Sequence, residues 1–445
     1  MYHDLTKGGI AKSLILFTLP MTAGNLLQQL YNIADTLIVG RALGRDALAA
    51  VGSAYTLMTF LTSVFIGLAM GSGALFSIYI GRGDRERLKS SVWQSFLLIF
   101  TVTAVINTAV YVFIDPILRF LKVPDTLYTD MREYLMIIFA GIAATFIYNF
   151  LACLIRAAGD SGSPLIFLGV SAVINIALDL LFVLVFDYGI AGAAAATVIA
   201  QYISGVGLLI FTAIRRPELL PERRHIYIDR GTLGEICDLS LLTSAQQSAM
   251  NFGILLIQRL VDSFGPVVMA AFAAAVKIDS FAYLPVQDFG NAFSTFAAQN
   301  YGAGKNARVR EGFRKATAIS AAFSAFVSVI VCVFAAPLMR IFVSADETDV
   351  IAEGIKYLRT EGSLYVGIGC LFLLYGFWRA VKRPGMSLIL TVISLGTRIV
   401  LAYAVAGAVG TVGIWAAIPI GWALADIVGY GYYFIVRKRI LPDER

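Results

Sequence analysis

The sequence predicts an all-α polytopic membrane protein, with twelve transmembrane helices in two six-helix lobes related by a pseudo-twofold axis. Three observations predict it. The 445 residues are 58% hydrophobic and 14% charged, with mean hydropathy +0.78, whereas soluble domains carry about 25% charged residues. Apolar runs of about 20 residues, the length that crosses a bilayer, recur from end to end. The two halves of the chain also resemble each other. Alternating strands of the membrane-barrel type are absent, which leaves the helical bundle as the fold that satisfies backbone groups in lipid.

The spans are expected at 14–40, 47–80, 92–114, 134–156, 164–186, 190–214, 239–262, 266–296, 316–339, 362–380, 385–407 and 411–436. The second and eighth exceed one crossing, so they should tilt or protrude. The first run is too long for a signal-peptide core and lacks a cleavage site, so it is expected to be retained. With the N-terminus inside, and with Arg156, Arg259 and Arg379 at span ends counted with the adjoining segments, 24 Lys and Arg fall in inside segments and nine in outside loops. That bias places both termini in the cytoplasm of a cell (plasma or inner) membrane protein. It also accounts for the net charge of +6 and pI near 9.0, so no nucleic-acid partner is implied.

The hydrophilic stretch 215–238 divides the chain into an N-terminal lobe, 1–214, and a C-terminal lobe, 239–445. "YIGRGDRERLK" (79–89) matches "NYGAGKNARVR" (300–310), "LIRAAGDSGSPL" (154–165) matches "FWRAVKRPGMSL" (377–388), and "YGIAG" (188–192) matches "VGTVG" (409–413), at offsets of 221 to 223. Six helices return each half to the same side, so the repeats are parallel. Such paired bundles hold substrate between them and alternate access by rocking. The four cysteines are scattered, with no CxxC, and the two histidines, His3 and His225, lie outside the apolar runs. No cofactor, no metal beyond Na+ and no HExxH, GxSxG or P-loop is expected, so the chain does not read as an enzyme.

The chemistry lies in polar residues inside the first-half spans. Asn25, Gln28, Asn32 and Asp35 are spaced three, four and three apart, so they form one stripe on the first helix. Pro20 lies below them and favours a bend. On the fifth span Asn175 and Asp179 share a face at i, i+4. Asn149 and Thr197 join them from the fourth and sixth spans. Carboxylates in low dielectric with amide and hydroxyl oxygens suit a proton, or a hard cation such as Na+. Both readings need Asp35 and Asp179 to meet.

At this point the chain resembles the multidrug and toxic compound extrusion (MATE) family. The likeness runs through "LPMTAGNLLQQLYNIADTLIVGRALG" (19–44), "IRAAGDSGSP" (155–164), "VINIALDLLFV" (173–183) and "FAAQNYGAGK" (296–305). The resemblance implies two six-helix lobes and efflux driven by a Na+ or H+ gradient. It also implies a first-lobe cation site at Asp35, Asn149, Asn175, Asp179 and Thr197, with Pro20 as the bending proline. Some members carry acids on helices 7 and 10. Here helix 7 offers Gln246, Gln247, Asn251 and Gln258 but no acid, and the expected tenth span has none between Gly362 and Trp378. Coupling is therefore expected in the first lobe.

Second-lobe cavity candidates are Gln247, Asn251, Asp279, Asp288 and Lys277. The whole points to a monomeric exporter of lipophilic, cationic organic compounds, by antiport with H+ or Na+. The rival readings are a lipid or lipid-linked oligosaccharide flippase, which would want more Arg and Lys in its spans, and an ion channel, which would want a filter.

Overall fold

The structure, a computed structural model, describes residues 4–120 and 123–442; His3 lies outside them. These residues form fifteen α-helices and no strand. In chain order they are α1 (Ile10–Ala42), α2 (Arg45–Arg82), α3 (Arg85–Phe120), α4 (Asp125–Ala140), α5 (Ile142–Ala157), α6 (Gly162–Asp179), α7 (Gly189–Arg215), α8 (Arg230–Asp262), α9 (Pro266–Gly302), α10 (Asn306–Val333), α11 (Ala335–Phe342), α12 (Thr348–Gly362), α13 (Tyr365–Ala380), α14 (Pro384–Val409) and α15 (Thr411–Ile440). Nine of them are long and apolar enough to cross a membrane. The pairs α4–α5 and α12–α13, bent by 46° and 51° at short breaks, each make one more span. The 33-residue α8 completes the twelve. Thr243, Ser244, Gln246, Gln247, Ser248 and Asn251 make it less apolar than its neighbours.

The internal repeat is legible in the backbone. Left-handed residues stop the helices at corresponding places: Gly44 and Gly265, Gly83 and Gly304, Gly159 and Lys382, Gly189 and Gly410. A lysine accepts this conformation at 382, with φ of 58°, although it costs an L-residue about 1–2 kcal/mol. The fold needs the turn there.

The chain forms two compact units. One comprises Leu19–Ile80 and Asp84–Ser244; the other comprises Asp4–Thr18, Gly81–Gly83 and the chain from Ala245 onward. In the first, Phe96, Phe146 and Phe150 pack with ring centroids 5.3 to 6.0 Å apart. In the second, Phe313, Phe377 and Tyr433 do the same at 4.6 to 5.2 Å. Where lipid is as apolar as the side chains, such close packing, rather than expulsion of water, holds helices together.

Small residues set one seam of the first unit. A Cβ on Gly71 would stand 2.5 Å from the Leu239 carbonyl oxygen and from Ser240 Cα. The backbones of α2 and α8 therefore touch, and the Ser72 and Ser240 hydroxyls bond at 2.9 Å beside them. Within the hydrophilic stretch 215–238, α8 begins at Arg230, and before it runs an irregular segment with two 3₁₀ turns, Pro217–Leu219 and Arg223–His225. It docks on the start of α3. His225, fully buried, meets Glu86 at 2.9 Å, and Lys89 bonds Glu222 and holds its carboxyl below the ordinary range.

Candidate functional site

The loop "GDSG" aims the fifth span. Asp160 is 3% exposed. Its Oδ1 accepts the amides of Gly162 (3.1 Å) and Ser163 (3.0 Å), and its Oδ2 accepts the Ser163 hydroxyl (2.6 Å). Burial pushes the carboxyl up, and these donors outweigh it, so its pKa sits below the ordinary value. The cap satisfies amides that a helix start leaves orphaned and so fixes α6.

Asn175 and Asp179 lie on the last turns of α6, both buried. A six-residue π-helical turn, Leu180–Val185, follows Asp179 directly. Such turns recur at functional sites. Asn175 Nδ2 donates to Thr197 Oγ1 on α7 at 3.3 Å. Asn149, on α5 just past the break at Gly141, is half-buried and donates Nδ2 to the Thr145 carbonyl at 2.8 Å. Asp35 is half-buried on α1, in the same compact unit. Tyr134 is buried on α4 of the same unit. Sequence reading passed over it, since a tyrosine in a span carries no signal of its own.

The oxygens here lack donors. Asp35 Oδ1, Asn175 Oδ1 and both oxygens of Asp179 are buried without a hydrogen-bond partner, and no ion pair among the described residues involves either acid. Buried acceptors are rarely left so. A proton or a bare cation is what such a set takes. Lower on α1, Asn32 reaches Gln29 at 3.5 Å and Gln28 is exposed; Asn25 and Pro20 are half-buried, with Pro20 inside the continuous helix.

In the second unit Asp279 is buried, accepting the Tyr357 hydroxyl on Oδ2 at 2.6 Å and the Tyr365 hydroxyl on Oδ1. These tyrosines flank the break between α12 and α13. Glu361 sits at that break, 6% exposed, with Oε2 unpartnered. Arg398 lies on α14, its Nε buried without a hydrogen-bond partner. Glu361 corrects the expectation that the tenth span lacks an acid. The span begins with α12, and Glu361 falls one residue before the start assigned from hydropathy. Asp288 is buried, Gln247 and Asn251 are half-buried on α8, and Lys277 is exposed. Lys277 stands two residues from Asp279, so it lies on a different face of α9 from that buried acid.

The MatE family model matches twice, over residues 20–181 and 243–404. The chain is 31% identical to a probable multidrug resistance protein, YpnP, of Bacillus subtilis (strain 168), covering 88% of this chain and 87% of that one. It is 25% identical to a FAD transporter of Shewanella oneidensis, covering 96% and 95%. Among solved structures, one described as the outward-facing conformation of a multidrug resistance MATE family transporter superposes with TM-score 0.93 at 22% identity, covering 99% of this chain and 98% of that one. The doubled match repeats the duplication read from the backbone, one copy per six-helix set. The chain belongs to the MATE family of multidrug efflux transporters.

Proposed function

We propose that this chain exports lipophilic, cationic organic compounds across the cell membrane by antiport with H+ or Na+, as a monomer with both termini in the cytoplasm. Asp35 and Asp179 bind the coupling ion, and Asn149, Asn175 and Thr197 complete its surroundings. The domain plan is two six-helix lobes, 1–214 and 239–445, joined by 215–238. The observation that carries the reading is the set of four donor-less oxygens on α1 and α6. Binding the ion relieves their burial, alters the packing of α1 above Pro20, and so competes with substrate. In alternating access, that competition is what links the two gradients.

The test is efflux of a fluorescent organic cation from proteoliposomes, with ΔpH and ΔNa+ imposed separately. Wild type is expected to respond to one of the two, and Asp35→Asn to neither. Gradient-driven efflux by Asp35→Asn equal to wild type would refute the assignment. The relative named a FAD transporter favours a second reading, a large anionic cargo, which loading the same vesicles with FAD decides.

A further inference from the structure

The segment before α1 is held by side chains of the second unit. Asp4 Oδ1 accepts the Thr6 amide (3.0 Å) and hydroxyl (2.7 Å), which folds the segment into a turn. Leu5 is completely buried, and Gly8 takes the left-handed conformation, φ 71°. Four consecutive carbonyls then find donors. Asn300 Nδ2 reaches Leu5 O at 3.1 Å and Lys305 Nζ reaches Thr6 O at 2.8 Å. Arg308 supplies the rest: Nη2 to Leu5 O at 3.2 Å and to Lys7 O at 2.8 Å, and Nη1 to Gly8 O at 2.8 Å. Its guanidinium also lies 5.4 Å from the centre of the Phe296 ring. Beyond the turn Ile10, Leu14, Phe17 and Thr18 are buried.

Residues 4–18 therefore belong to the second unit, while α1 continues from Leu19 as part of the first. The change of allegiance falls one residue before Pro20, where the helix lacks a backbone hydrogen bond. A rod that is fixed at its base and weakened at one point yields there. A rod with a loose base tilts or frays instead, and the weak point does nothing.

We propose that Arg308 is a positioning residue for transport. It fixes the base of α1 to the second unit, so that the rearrangement set off at Asp35 is confined to the helix beyond Pro20. This rests on the coupling role given to Asp35 above. The planar fork of arginine matches three carbonyls at once; the point charge of lysine does not.

The experiment uses the full chain in proteoliposomes and compares Arg308→Lys, Arg308→Ala and Lys305→Ala with wild type. Hydrogen exchange over residues 4–18 reports the clamp, and initial rates of gradient-driven efflux report transport. Arg308→Lys is expected to speed exchange at the Thr6 and Lys7 amides at least tenfold. It should lower kcat at least fivefold and leave substrate KM within twofold, and the coupling ion should still protect residues 28–36 from exchange. Lys305→Ala, which removes one bond of the five, should move both readouts less. Release of the segment with kcat unchanged overturns the proposal, as does a fall in kcat with exchange over 4–18 unchanged. Ion protection of 28–36 that persists in Asp35→Asn sinks the coupling assignment instead, and is read independently of Arg308.

Discussion

Asp179→Asn should stabilise the ion-free protein and abolish its response to the ion. Asp179 is completely buried and neither carboxylate oxygen has a donor. An acid at the centre of a spanning helix costs about 2.5–3.5 kcal/mol, and an unpaired neutral amide about 1–3 kcal/mol. The asparagine therefore gains about 1–2 kcal/mol when no ion is present. Wild type recovers more when the ion arrives, since a ligand at 100 times its Kd adds about 2.7 kcal/mol. The two melting curves must cross: Asp179→Asn higher at high pH without Na+, wild type higher at saturating ion. For units of this size each kcal/mol moves Tm by about 2–4 °C, so the crossing lies within the resolution of a fluorescence melt in nanodiscs, with Trp93 of the first unit as one reporter. A variant that melts below wild type without ion, or that gains as much as wild type on adding Na+ or acid, would refute the reasoning. A cavity or a misfolded helix lowers Tm at every ion concentration and cannot imitate the crossing.

Two further outcomes test the scaffold. Asp160→Ala removes three bonds at the start of α6 and strands two amides, so it should cost about 1–3 kcal/mol at neutral pH. Because the folded pKa lies below the ordinary value of 3.8, that stabilisation is complete above 3.8 and fades as pH falls through the folded value. Melts of wild type and variant should differ by a constant amount above about pH 5 and converge only below about pH 4. Gly71→Val places side-chain atoms against the backbone of Leu239 and Ser240 at 2.5 Å, where no flexible neighbour can yield. The helices must separate, at about 1–3 kcal/mol, and disulfide formation between Ser72→Cys and Ser240→Cys in a cysteine-free background should slow at least tenfold.

Much of this was legible in the sequence, and the misses have physical reasons. The period of polar residues on α1 and the i, i+4 pair on α6 are local geometry, so Asp35, Asn175 and Asp179 could be read directly. Thr197 could be read as a polar residue of its span, but its bond to Asn175 runs across helices and has no local pattern. Glu361 was missed because it belongs to the first half of a broken span, α12, where hydropathy is diluted by the residues of a helix end and the apparent span starts late; Tyr134 stood inside its expected span, where a tyrosine carries no signal of its own. The clamp at Arg308 joins residues about 300 apart, and no local pattern announces it.

The duplication itself argues for coupling in the first lobe. At the offset of 223 that relates the two family matches, Tyr134 corresponds to Tyr357, Asn149 to Phe372, Asn175 to Arg398 and Asp179 to Ala402. No acid occurs in α8 between Asp238 and Asp262, the helix that repeats α1. The second copy has the tyrosine but not the other residues, and where the first copy places an amide it carries an arginine. Asp279 already has a tyrosine donor on each oxygen, which answers part of the cost of its burial. Asp179 has no donor on either oxygen, so an arriving ion is expected to change its energy more than that of Asp279. A gradient can drive only the element whose energy depends on the ion.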